Sequence, residues 1–99
     1  MKSATISIKG LSAESAALFE RLSAEYDISD GAGLALLRSI GESLDRVSEA
    51  RTIITRDGLT VETTSGPKAH PLLGVERDAK NALFSAMRLL KIGSSELPE

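Results

Sequence analysis

A single histidine, His70, stands beside Pro71 in a chain that contains no cysteine. A nucleophilic triad or a histidine-based metal site needs partners of those types, and the sequence does not supply them. Asp27 and Asp30 are close in sequence, but they flank a predicted helix start, where acids act as caps and as partners of the helix dipole. Ser65-Gly66-Pro67-Lys68 contains a glycine and a lysine but lacks the spacing and the strand-to-helix setting of a phosphate loop. Turn chemistry accounts for that segment. The expectation is a protein with no catalytic residue, no cofactor and no metal site.

A basic stripe near the end of the chain is more informative. At 100° per residue, Leu72, Val75, Ala79, Ala82, Leu83, Ala86, Leu89 and Leu90 share one broad apolar arc of a helix. Arg77, Lys80, Arg88 and Lys91 cluster on the opposite arc, with Phe84 among them. Glu76 and Asp78 are expected to point away from these cations. A basic stripe with an aromatic residue can hold a phosphate backbone and offer a stacking surface. The plainer readings are a solvated face for the cations and subunit packing for Phe84. Lys2 and Lys9, on an N-terminal arm, are expected to add to the same field.

The elements that must position these residues are helical. With 99 residues the chain is one small domain. Three aromatic residues, Phe19, Tyr26 and Phe84, leave the core to Leu, Ile, Val and Ala. A chain of this size gains from self-association, because it buries a modest share of its surface alone. The net charge of −2 argues against a chain that coats DNA, but not against a local basic face repeated over many copies. No apolar run follows Met1-Lys2, so no signal peptide is expected, and no stretch is long and apolar enough for a membrane span.

Residues 1–10 form an arm, with Thr5-Ile6-Ser7-Ile8 alternating as a short strand would. Ser12 is placed to cap a first helix that runs to about Tyr26, with Leu18, Phe19, Leu22 and Tyr26 on one face. Ser29 is placed to cap a second helix over 30–57, about 40 Å long at 1.5 Å per residue. Leu37, Ile40, Leu44, Val47 and Ile54 form its apolar stripe, and Arg51 occupies the missing place. These six are the candidate subunit interface; Arg51 either runs its stem along the edge of the stripe or, on the sharper reading, bridges to an acid on a neighbouring protomer, since an unpaired charge there is costly. Arg38, Glu42, Asp45, Arg46, Glu49 and Arg56 are assigned to a solvated, mixed-charge face. Gly58 stops the helix. Thr60-Val61-Glu62-Thr63 is a possible strand and Ser65-Gly66-Pro67 a turn. Pro71 suits the first position of the last helix, which runs to about Lys91 with Gly93 as its stop. Residues 11–93 thus form a helical oligomerisation domain and 94–99 a flexible tail. The fold class is mainly α, three helices with a long helical hairpin, assembling into a ring. A helix-turn-helix is not favoured: its recognition helix would begin Asp30-Gly31-Ala32-Gly33, which reads base edges poorly and repels phosphate.

The ordered set of Leu11-Ser12, Asp30-Gly31-Ala32-Gly33-Leu34, Leu44-Asp45-Arg46 through Arg51, Arg56-Asp57-Gly58-Leu59 and Lys68-Ala69-His70-Pro71-Leu72 resembles the small terminase subunit family of tailed bacteriophages. The resemblance covers about 11–92. Many members end with Leu-Gly-Leu-Thr-Pro, where this chain reads Leu90-Lys91-Ile92-Gly93-Ser94. The resemblance implies a ring-forming homo-oligomer that binds viral double-stranded DNA and delivers it to the large terminase subunit, which carries the ATPase and nuclease. It also implies work in the cytoplasm of an infected or lysogenic bacterial host. A small helical DNA-binding regulator, repressor or antitoxin-like, and a purely structural helical adaptor are the alternatives.

Overall fold

The computed structural model describes residues 8–98. Among them α1 (Ala13–Glu25) and α2 (Gly31–Asp57) are followed by β1 (Thr60–Thr63), β2 (Gly66–Ala69) and α3 (Leu72–Leu90), with a 3-10 turn at Ser94–Glu96. The chain is therefore mainly helical, as the periodicity predicts, and the 60–63 segment is a strand. Thr5, Ile6 and Ser7 of the other predicted strand lie outside the described residues. Ile8 is half-buried against the core.

α2 and α3 run side by side in opposite directions, and the β-hairpin reverses the chain between them. Gly58 ends α2 with φ +90°, a conformation that glycine adopts without strain. α1 packs along the N-terminal half of α2. The result is a rod of 52 × 23 × 21 Å.

Burial is uneven along this rod. Phe19 and Leu22 of α1 and Leu37 and Ile40 of α2 are each 1% exposed, and Leu83, Ala86 and Met87 of α3 close over them. Gly41 makes the α1–α2 contact close: a Cβ there would sit 2.9 Å from Leu11 Cδ1. Gly41, a poor residue for an isolated helix, thus serves the packing of α2.

The helix ends differ from expectation in small ways. Asp30, not Ser29, caps α2, accepting from the Gly33 N–H at 3.0 Å. Its carboxylate also faces the positive end of the helix dipole. α3 begins at Leu72, one residue beyond Pro71. It ends at Lys91, whose backbone is left-handed with φ +59°, and not at Gly93. That bend swings Ile92 into the core, where it is 6% exposed.

Glu96 and Leu97 hold the segment after α3 against the body of the molecule, in place of the expected loose tail. The Arg21 guanidinium donates to Glu96 Oε1 at 2.8 Å and to the Glu96 carbonyl at 3.0 Å. The Tyr26 hydroxyl donates to Glu96 Oε2 at 2.9 Å, and Leu97 packs against the core. Composition hid this, because a short polar tail reads as frayed until its partner residues on α1 are known.

Asp45 corrects the assignment of α2's faces. The Ser12 and Ser15 hydroxyls each donate to Asp45 Oδ1 at 2.6 Å, and the Ser12 N–H donates to Oδ2 at 2.9 Å. Ser12 in turn accepts from the Ser15 N–H at 3.1 Å, the expected cap of α1. Asp45 is thus the anchor of the first turn of α1 and not a solvated charge. Burial pushes its carboxyl up, but the two hydroxyls and the Ser12 N–H outweigh this and hold it below its ordinary value.

Candidate nucleic-acid interface

Helical geometry does bring the predicted stripe together. Arg77, Phe84, Arg88 and Lys91 are exposed along one flank of α3, and Lys80 is half-exposed between them. Phe84 retains 41% of its surface, whereas the other phenylalanine, Phe19, is sealed in the core. The opposite apolar arc is narrower than predicted: Ala82 and Leu89 are exposed, and Leu83, Ala86 and Met87 carry the contact with α2.

The acids do not stay away from the cations, however. Lys80 Nζ lies 3.9 Å from Glu76 Oε2, one helical turn back, and Arg77 Nε lies 3.3 Å from Asp78 Oδ1. Long side chains span neighbouring arcs of a helix, so angular separation at the backbone does not keep charges apart. Arg88 and Lys91 form no ion pair among the described residues, and Arg88 reaches only the Ser85 hydroxyl at 3.3 Å. The stripe therefore has a neutralised half near its N-terminal end and a charged half near its C-terminal end. Lys9 is exposed just before Gly10, and Lys2 lies outside the described residues.

Glu76 has a second role that helical spacing does not reveal. Arg51 Nε donates to Glu76 Oε2 at 2.7 Å, so the charge set in α2's apolar stripe finds its acid within its own chain. It does not need the neighbouring protomer assumed from its spacing. Arg51 remains exposed, so this pair is screened by solvent.

The other candidate interface residues divide in the same way. Leu37, Ile40, Val47 and Ile54 are buried within the chain. They hold its own helices together and offer no surface to a second copy. Leu44 is half-buried, and with Arg51 it lines an open groove where α1 leaves α2 uncovered. The periodicity located the core correctly but could not distinguish packing within the chain from packing between chains.

His70 is the larger surprise. It is 5% exposed, its Nδ1 accepts from the Leu72 N–H at 3.0 Å, and its Nε2 faces Asp57 Oδ2 at 3.0 Å. With Nδ1 accepting, the ring's proton sits on Nε2 and is donated to Asp57. One imidazole thus caps α3 and ties it to the last residue of α2. Arg56 first, and His70 second, hold the Asp57 carboxyl well below the usual carboxylate range. The sequence signal was present in His70-Pro71, where Pro71 cannot cap with its side chain and the residue before it can.

Among the described residues no cluster of His, Asp and Glu side chains is arranged to hold a metal ion, and no helix is long and apolar enough to cross a membrane. Comparison of the chain with protein-family models, with curated proteins and with solved structures found no match.

Proposed function

We propose that this chain is a small terminase subunit of a tailed bacteriophage. In this reading it is a non-enzymatic homo-oligomer that binds viral double-stranded DNA and hands it to the large terminase subunit in the host cytoplasm. The observation that carries the reading is where the resembling segments fall. The 44–51 segment supplies Asp45, which anchors α1, and Arg51, which pairs with Glu76. The 56–59 and 68–72 segments supply Asp57 and His70, which join α2 to α3. Residues scattered through the sequence thus act as the fasteners of one helical hairpin.

The DNA-binding part of the proposal is carried by Phe84, Arg88 and Lys91. Four cations per protomer would make a strong field if all were free, but Glu76 and Asp78 offset Lys80 and Arg77. The contact with phosphate therefore centres on Arg88 and Lys91. Binding should be weak per site, tolerant of sequence and steep in salt.

Light scattering on the eluting particle tests assembly, and DNA binding at low salt tests the stripe. A particle larger than a dimer is expected, and one no larger than a dimer overturns the reading. Arg88→Glu/Lys91→Glu should abolish binding with the particle mass unchanged, while Arg77→Glu/Lys80→Glu should weaken it several-fold. Undiminished binding by the first variant removes the stripe as the DNA contact, and dissociation of its particle would assign it to subunit packing.

A further inference from the structure

The β1–β2 hairpin has two outer edges whose backbone groups can be assigned from its pairing. The register of the hairpin sets which backbone groups face outward. Thr60 pairs with Ala69, Val61 with Lys68, Glu62 with Pro67 and Thr63 with Gly66. The His70 N–H donates to the Leu59 carbonyl at 2.8 Å, which makes Leu59 and His70 a hydrogen-bonded pair. Antiparallel pairs alternate between bonded and non-bonded, so Val61–Lys68 and Thr63–Gly66 bond inward. Thr60 and Glu62 then direct their N–H and C=O groups outward from β1, with no partner strand among the described residues.

The two edges of this sheet are not equivalent. On β2 the outward positions are Pro67 and Ala69, and Pro67 has no N–H to donate. That edge is protected in the usual way. The β1 edge carries no proline and no lysine, and its sequence Thr60-Val61-Glu62-Thr63 is rich in β-branched residues. A two-stranded sheet of four-residue strands is also marginal by itself and gains from a third strand.

We propose that two copies pair their β1 strands antiparallel about a two-fold axis at Val61, giving a four-stranded sheet. The occupant follows from self-complementarity. With the axis at Val61, each outward Thr60 faces the other copy's Glu62, and both outward residues of each strand exchange their hydrogen bonds. No glutamate lies opposite a glutamate. Side chains alternate across a strand, so Leu59, Val61 and Thr63 share one face. Leu59, 66% exposed in the single chain, would meet the other copy's Thr63 beside the Val61 pair. This contact closes on itself. Combined with a head-to-tail ring it joins two rings back to back, and it does not depend on DNA binding.

Cysteine cross-linking tests it, because the chain has no cysteine of its own. In this register the two Val61 Cα atoms form a non-bonded pair about 4.5 Å apart, within disulfide range. The Thr63 Cα atoms lie four residues apart along the strands, roughly 13 Å. Val61→Cys should give a covalent dimer under mild oxidation, at least ten-fold faster than Thr63→Cys. Adding Glu62→Pro, which removes an outward N–H but no hydrogen bond within the hairpin, should suppress it. Circular dichroism confirms that each variant keeps its helices, and Val61→Lys provides a second test by shifting wild-type-like sedimentation towards the smaller species. Equal rates for the two cysteines, cross-linking unaffected by Glu62→Pro, or no cross-link at Val61→Cys would overturn the proposal.

Discussion

The two ends of the α2–α3 hairpin are held together by different forces. At the end that α1 covers, Phe19, Leu22, Leu37 and Ile40 are sealed from water and the apolar contacts of three helices converge. At the other end Leu59 stands in solvent, and beside a thinner apolar contact that includes Ala50 and Ile54 the joint is made by the His70–Asp57 and Arg51–Glu76 contacts. Apolar burial is worth most per residue and is indifferent to direction. Hydrogen bonds contribute less net free energy but fix geometry. One end therefore holds most of the stability, and the other sets the angle at which the hairpin is presented.

Substitutions on the two sides should separate cleanly. Phe19→Ala should cost about 3–5 kcal/mol, a large part of the stability of a domain this size. Leu59→Ala, in dilute protein, should cost less than about 0.5 kcal/mol. Denaturant midpoints measure both, and similar losses would break the comparison.

Asp45→Ala comes next, at about 1–3 kcal/mol, because it leaves the buried Ser15 hydroxyl and the start of α1 without their acceptor. The same residue gives the acid response its sign. Asp45, Asp57 and Glu96 all have carboxyls lowered in the folded chain, Glu96 chiefly by Arg21 and then by Tyr26. Each adds stability above the ordinary carboxylate range and loses it as pH falls through its own lowered value. Thermal melts should thus be nearly flat down to that range and fall below it, with a shallower fall in Asp45→Asn.

His70→Ala should have a smaller global effect than Asp45→Ala, about 1–2 kcal/mol, from the Leu72 N–H left without its acceptor. Its local effect sharpens the comparison. Amide exchange should quicken at Val61 and Lys68, which bond across the hairpin, and stay unchanged at Phe19 and Leu22. Equal loss of protection at both places would mean that the polar joint and the apolar end unfold as one unit.

Periodicity made the helices legible, because burial repeats every 3.6 residues and the sequence displays that repeat directly. The stops at Gly58 and the cap at Ser12 were legible for local reasons. The fasteners were not. Asp45 and Glu96 looked like solvated charges, since nothing within a few residues of either reveals a partner on another helix. Arg51 stands out in the apolar stripe, but spacing along α2 does not reveal that its acid lies on α3 of the same chain. The cap formed by His70 depends on neighbours at both of its ring nitrogens, one of them 13 residues away, which local sequence does not display. The α3 stripe was half legible: spacing located it, while the reach of Glu76 and Asp78 decided which cations remain free.

The Asp45 anchor also bears on the order in which the molecule assembles. α1 has 13 residues, too few to persist as an isolated helix. Its first turn is completed by a side chain 33 residues further along the chain. That turn must therefore wait for α2, whereas α2 and α3 meet through a short hairpin and can associate early. The first turn of α1 is thus completed only after α2 has formed. Asp45→Ala should then leave the refolding rate almost unchanged and place nearly its whole effect on faster unfolding, which stopped-flow measurements of both limbs would read directly.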